Sequence, residues 1–545
     1  MNTKSTLLLF LPFFLSACSF NNILVDTGGE NTIYEAPQSS PKPDSISLRR
    51  QFENDIAKKL LASVQKVPKH IIPSHQELIE QHLKLKAVLK HLSRLDESLL
   101  RPTLRHAIHE KQMVEISLSQ AITNWGHRNH LQDLHKLLPP LSFAQHSNTK
   151  ILKIKQDIIN SNQGLQRIRS NLSLGSTFQF SKPIISEAKK RCLKLTSLEN
   201  NPILTRYQQI LLYSDMSQSK QKLDYQSLEL AFRHDVVPAY EAFCRFLVEL
   251  ESSKLIAATP TDKLKNEADL DYQSELKQLN TALAPIHSAI NEILIPLPQS
   301  NLWQIYDAHQ QTPKDKQALL DQLTQFVADL HYGLKLWFND PLEREVLIAA
   351  DDEIGTVPFY YQSNTAFFDL SLLAKLPSFE LETLSYQFAL PGMHMLNYAS
   401  SYENNPLWQE FAHAWSLYVL NLPEAPVYYS HSLSRIAALS RKKLAIHKAI
   451  VDINLQLGRW SPETAQTYLM KETPYPIEFI QKQLAMILAT PGQARNIWFI
   501  SEEIKSLWQL DHGLSIKEFH DRILAFAPAN LEFLKNQMPA ILQQK

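Results

Sequence analysis

Two histidines, His394 and His413, stand about one helix apart in a segment otherwise rich in aromatic and amide side chains. The segment reads Gln387-Phe388-Ala389-Leu390-Pro391-Gly392-Met393-His394, then His413-Ala414-Trp415-Ser416-Leu417-Tyr418. The chemistry such imidazoles could serve is metal-assisted hydrolysis. It needs three protein ligands drawn from His nitrogens and carboxylate oxygens, an open position for water, and a carboxylate base beside it. Gln387 or Gln456 could join the pair, but an amide is a poor zinc ligand. Asp452, Glu403 and Glu410 are the carboxylates available as partners, and a ligating His also needs an acceptor that fixes its tautomer. A pair of imidazoles with amides gives no third strong ligand, so a buried His bonded to the backbone is the plainer outcome.

These residues resemble the core of the domain-of-unknown-function 885 family, mostly bacterial, zincin-like proteins. That family's pattern reads H-E-x-x-P-G-H-H, followed about one helix later by E-G-W-A-x-Y. Laid over it, Gln387 takes the place of the first His and Phe388 that of the Glu base. Met393 and His394 stand where the His pair would be, and His413 replaces the Glu of E-G-W-A. A phenyl ring cannot take a proton, and losing a general base costs about 10²–10⁴ in rate. Upstream, Tyr360-Tyr361 and Leu376-Pro377-Ser378-Phe379-Glu380-Leu381-Glu382 look like the approach to the family's ligand helix. Downstream, Ala449 to Asp452 and Gly458-Arg459-Trp460-Ser461 resemble V-D-x-G-x-H…G-W, with Gln456 in place of His. Pro491-Gly492-Gln493-Ala494 matches P-G-Q-A, but its flanks hold Gln483, Met486, Ile487, Ile497 and Trp498. Phe519-His520-Asp521 matches the closing F-H-D element. The likeness covers Pro358 to Leu534 and extends from about Leu60, as at Val236-Val237-Pro238-Ala239-Tyr240.

The residues that shape backbone persist while the reactive ones turn apolar or amide. The resemblance therefore implies a peptidase-like body whose cleft is filled or repurposed. It leaves Gln387 and Phe388 as degenerate catalytic positions, His394 and His413 as residual metal candidates, and no resident cofactor. The implied cleft lining is Tyr361, Met393, Trp415, Tyr418, Asp452, Gln456, Gln493 and His520. Two functions follow. The first is a non-catalytic envelope lipoprotein that binds a peptide or another envelope protein. The alternative is a zinc-dependent peptidase or amidase with altered ligands.

At the N-terminus, Met1-Asn2-Thr3-Lys4 supplies positive charge and Leu7 to Leu15 an apolar run broken by Pro12. This reads as a signal peptide over 1–17, too short to span a bilayer. Leu15-Ser16-Ala17-Cys18 matches the bacterial lipobox, so Cys18 is the expected acylated mature terminus. Several acyl chains, each methylene worth about 0.8 kcal/mol, make such an anchor permanent. Ser19 rather than Asp follows, which by analogy to lipoprotein sorting directs the protein to the outer membrane, facing the periplasm. Residues 18–47, with Gly28-Gly29, Pro37, Pro41 and Pro43, read as a flexible tether.

The body, 48–545, carries mixed charge. With 55 basic and 55 acidic residues in the chain, the formal net charge is zero, which excludes the basic footprint of a nucleic-acid binder. Arg441-Lys442-Lys443 reads as a solvated helix face. Cys192 and Cys244 could pair in an oxidising periplasm, but spacing alone does not decide it. Sparse glycine and Leu recurring at helical spacing predict a mostly α body, split into lobes at 48–300 and 301–545. The only β element expected lies near 344–361. The histidines of the first third include His106 and His109 beside Glu110. They show no metal spacing and read as a polar stripe.

Overall fold

The computed structural model describes residues 22–26, 31–35, 45–64, 72–123, 130–137, 147–173, 182–199, 201–252, 265–299, 301–309, 316–331, 333–339, 346–350, 358–362, 364–399, 406–424, 429–510 and 512–543. Cys18, most of the tether and Glu403 lie outside them. Strands β1 (Asn22–Asp26) and β2 (Asn31–Glu35) pair antiparallel inside the stretch read as a tether. Their runs Ile23-Leu24-Val25 and Thr32-Ile33-Tyr34 are β-prone and bracket Gly28-Gly29, a hairpin pattern.

The chain groups into two compact units, 1–67 with 83–111, and 68–82 with 112–545. Helices α1 (Ser45–Val64), α2 (His75–Leu92) and α3 (Pro102–Thr123) supply the first, whose core is Ile56, Leu60, Leu92, Leu100 and Ile108. Asn54 ties it together, its amide donating to the Leu99 carbonyl (2.9 Å) and accepting the Arg101 N–H (2.8 Å).

In the larger unit, α4 (Asn148–Ile159), α5 (Ser161–Ser173), α6 (Lys182–Thr196), α7 (Pro202–Leu212), α8 (Gln218–Ala231) and α9 (Val237–Ser252) enclose Ile158, Ile168, Tyr207, Phe232 and Tyr240. Asn201 caps α7 through the N–H groups of Ile203 and Leu204, with Pro202 at the first helical position. A wider π turn over Phe232–Val236 joins α8 to α9. Pro238 follows it and cannot donate to an ordinary helical ladder. Cys192 and Cys244 form a disulfide, Cα to Cα 5.7 Å, that locks α6 to α9.

The main core belongs to α10 (Lys265–Leu294), α11 (Leu302–Ala308), α12 (Lys316–His331), the short α13 (Leu370–Leu373), α14 (Glu380–Phe388), α15 (Pro406–Tyr418), α16 (Ser432–Gln456), α17 (Pro462–Glu472), α18 (Ile477–Ala489), α19 (Gln493–Trp508), α20 (Ile516–Ala525), α21 (Leu531–Asn536) and α22 (Met538–Gln543). The mostly α fold class holds. Helix α10 packs along α16, so elements on both sides of residue 300 share one core. A small sheet of β3 (Leu347–Ala350), β4 (Phe359–Gln362) and β5 (Thr365–Phe368) runs in the order β3-β5-β4. Its first two strands fall where expected. The third extends the element to Phe368, because Thr365-Ala366-Phe367-Phe368 is buried on both faces and carries no alternation to announce it. Asn364, at φ 65°, supplies the tight turn into it.

Candidate functional site

Helix α14 ends in the Pro391-Gly392 bend, entered through a cis Leu390–Pro391 bond. The Gly392 N–H donates to the Tyr386 carbonyl (3.0 Å) and the His394 N–H to that of Ala389 (3.0 Å). A Cβ on Gly392 would fall 1.9 Å from the Gln387 carbonyl oxygen, so only glycine fits. From α15 the Trp415 indole N–H reaches the Pro391 carbonyl at 3.0 Å. Trp415, fully buried, thus clamps the bend.

The position of the missing base is filled by packing. The Phe388 ring meets Phe359 at 5.6 Å, Phe368 at 6.3 Å and the His413 imidazole at 6.3 Å, centroid to centroid. Beside it, Gln387 Oε1 is buried with no hydrogen-bond partner among the described residues, a cost of about 1–3 kcal/mol. His394 is wholly buried, and its Nδ1 lies 2.8 Å from the Tyr361 hydroxyl. Met393 is buried with it. Burial, with the Lys448 charge second, pushes the His413 imidazole down to about 3.

Around this apolar plug the polar residues bond to one another. Asp452 on α16 accepts the N–H groups of Gly492 (2.8 Å) and Arg495 (3.1 Å), capping the start of α19. It also accepts from Gln456 Nε2 at 2.9 Å, and Gln456 Oε1 accepts from the Tyr272 hydroxyl at 3.2 Å. Burial pushes the Asp452 carboxyl up to about 6 despite these donors. Gln493 accepts from the Thr490 hydroxyl at 2.8 Å. The Arg495 guanidinium grips Glu275 in a fork and reaches Asn496. The Lys448 ammonium, lowered to about 8 by burial and the Arg441 charge, donates to Gln483 at 2.7 Å. The His520 Nδ1–H donates to the Trp337 carbonyl (2.8 Å), which leaves Nε2 to accept from Tyr418 (2.9 Å). Burial holds that ring neutral, down to about 4.

The zinc that the alternative reading calls for does not fit this donor set. The first-ligand position is an amide, the base is a phenyl ring, His394 is engaged by Tyr361, and His413 packs edge-on to Phe388. Among the described residues no three of His, Cys, Asp and Glu gather as a metal set.

One basic cluster was misread. Arg441 and Lys443 are not solvated: they are 6% and 5% exposed. The Arg441 Nε–H donates to Glu380 at 2.8 Å, and the other carboxylate oxygen of Glu380 accepts from Tyr306 and Tyr475. Lys443 lies over the Trp303 ring, 5.2 Å to its centroid. Helix α16 runs through the core, so its charges had to be paired there. Sequence reading also passed over Lys448, Tyr272, Glu275 and Arg495. Arg495 follows the quoted P-G-Q-A directly, and that adjacency was the available signal.

A mostly helical body with a glycine-tight bend, a clamping tryptophan and an aromatic plug is the class this geometry defines. The family model "Bacterial protein of unknown function (DUF885)" matches residues 73–538, and the chain belongs to that family. Among solved structures it is similar to a "putative lipoprotein" from Colwellia psychrerythraea, at 15% identity and TM-score 0.70, covering 92% of this chain and 99% of that one. It is also similar to a "putative lipoprotein of unknown function" from Shewanella oneidensis, at 12% identity and TM-score 0.54, covering 92% of this chain and 100% of that one. At these identities the likeness concerns the fold alone. No curated protein matches the chain.

Proposed function

We propose that this chain is a lipid-anchored envelope protein that works by binding, with a peptide or another envelope protein as partner, and not by catalysis. The observation that carries the reading is Phe388, which puts a packed ring where a hydrolase needs a base and a water. The lipobox ending at Cys18 and the lipoprotein description of both structural relatives support the anchor. The Cys192–Cys244 disulfide suits the oxidising periplasm that Ser19 sorting to the outer membrane would provide.

Metal analysis tests the reading. Gently purified protein should hold far less than one zinc per chain, because a site short of strong ligands holds the ion weakly, and should cleave nothing in a broad peptide library. Near-stoichiometric zinc lost in His394→Ala and His413→Ala would establish instead the metal-dependent peptidase or amidase with altered ligands. Separately, Cys18→Ser should leave the protein unacylated, and either soluble or retained as precursor. Unchanged mass and fractionation would overturn the anchor.

A further inference from the structure

Lys443 and His447 stand four residues apart on α16, which puts them on one face of that helix. Both are nearly buried, at 5% and 2% exposure. The Lys443 ammonium meets the Trp303 ring of α11, 5.2 Å to its centroid, and no acceptor among the described residues. A ring face attracts the charge but takes up none of its three N–H groups as an acceptor oxygen would. The His447 Nδ1 lies 2.8 Å from the Tyr468 hydroxyl of α17, while its buried Nε2 has no partner among the described residues. With the tyrosine O–H donating to Nδ1, the neutral ring carries its hydrogen on Nε2. Two neighbouring groups are then donors in want of an acceptor.

Three further groups face this place. His287 comes from α10, and Tyr468 and Glu472 from α17, the carboxylate of Glu472 being 31% exposed and 3.9 Å from the Lys471 ammonium. Burial lowers Lys443 although Glu472 attracts it, and burial together with the Lys443 charge lowers His287 and takes His447 down to about 3. Glu472 therefore leaves the ammonium short of compensation, while the His447 ring stays neutral at neutral pH. One negative charge shared by two oxygens supplies what the pair lacks, a carboxylate. A phosphate monoester brings about two charges, more than a single ammonium opposed by Glu472 calls for. Trp303, 41% exposed, stands beside the ammonium and offers its indole to the organic part of such a ligand.

We propose that Lys443 and His447 bind a carboxylate, one oxygen on the Lys443 ammonium and the other on the His447 Nε2–H, with the rest of the ligand against Trp303. This goes beyond the binding role argued above and rests neither on the plugged motif region nor on the anchor.

The test titrates the full chain with benzoate by calorimetry at neutral pH. Saturable one-to-one binding is expected, with none for benzamide, which keeps the ring and lacks the charge. Lys443→Met keeps the buried stem and removes the ammonium, so benzoate should bind about tenfold more weakly or not at all. Glu472→Gln removes the opposing carboxylate from a partly exposed position and should tighten binding several-fold. If Lys443→Met unfolds, Glu472→Gln decides the matter. An acetylated dipeptide ending in a free phenylalanine carboxylate completes the series. Binding tighter than benzoate identifies a chain terminus as the source of the carboxylate, and weaker binding a free organic acid. Absence of saturable binding, equal binding of benzamide, tighter binding of phenyl phosphate than of benzoate, or benzoate affinity unchanged in either folded variant would each overturn the proposal.

Discussion

Glu410 lies on α15 three residues before His413, and burial pushes its carboxyl up to about 7 even though Asn496 and Arg495 favour the charged form. Asp452 is raised to about 6, while His413, His447 and His520 are lowered to about 3, 3 and 4. At Glu410, Asp452 and these histidines desolvation outweighs pairing, so each of these sites favours the neutral form. The two kinds of group act on stability in opposite senses. A histidine lowered in the fold contributes stability above its unfolded value of 6.5, and that contribution is lost as pH falls toward 3. Glu410 contributes fully below its unfolded value of 4.5, and its contribution is lost as pH rises through about 7. Glu410→Gln removes that loss. Urea denaturation should find the variant close to wild type at pH 4.5 and gaining on it by roughly 1–3 kcal/mol by pH 8. A stability difference that does not change with pH would mean that Glu410 is solvated.

At the scale of elements, the bend after α14 decides how that helix meets α15. Gly392 is held there by two constraints, the Tyr386 carbonyl that its N–H must reach and the Gln387 oxygen that excludes a Cβ. Gly392→Ala should cost several kcal/mol, above about 3, or prevent folding. Gly513 is the internal comparison, because its φ of 67° is unfavourable for alanine but nothing lies within 4 Å of a Cβ. Gly513→Ala should cost only about 1–2 kcal/mol. Equal losses from the two in thermal melts would show that the close contact at Gly392 is relieved by a small backbone shift. The need for Gly392 was legible beforehand, since Pro391-Gly392 and Trp415 survive amid reactive residues that do not. The mostly α class was legible too, from Leu recurring at helical spacing. Arg441 was not, because α16 buries residues on every side, and a helix without a wet face has no period by which to sort its charges. Its partner Glu380 lies 61 positions earlier. Nor did a four-residue strand such as β5 carry enough sequence to be separated from a short buried helix.

For the whole molecule, formal neutrality and mixed charge left the fold to be set by apolar packing, and a large core results in the unit of 68–82 and 112–545. Within that unit, α4 to α9 enclose a separate apolar cluster, and the Cys192–Cys244 bond closes a loop of 52 residues across it. Cross-linking acts mainly by restricting the unfolded chain, and for loops of this length contributes about 2–4 kcal/mol. Because the bond joins α6 to α9, its loss should be felt first in that cluster and much less around α14 to α19, which have their own core. The double variant Cys192→Ala/Cys244→Ala should therefore unfold at lower denaturant by an amount equal to about 2–4 kcal/mol. Its backbone amides in α6 and α9 should exchange hydrogen faster while those of α16 and α19 keep their protection. Uniform acceleration along the whole unit would mean that the two clusters open together, and that the bond holds the entire fold and not one part of it.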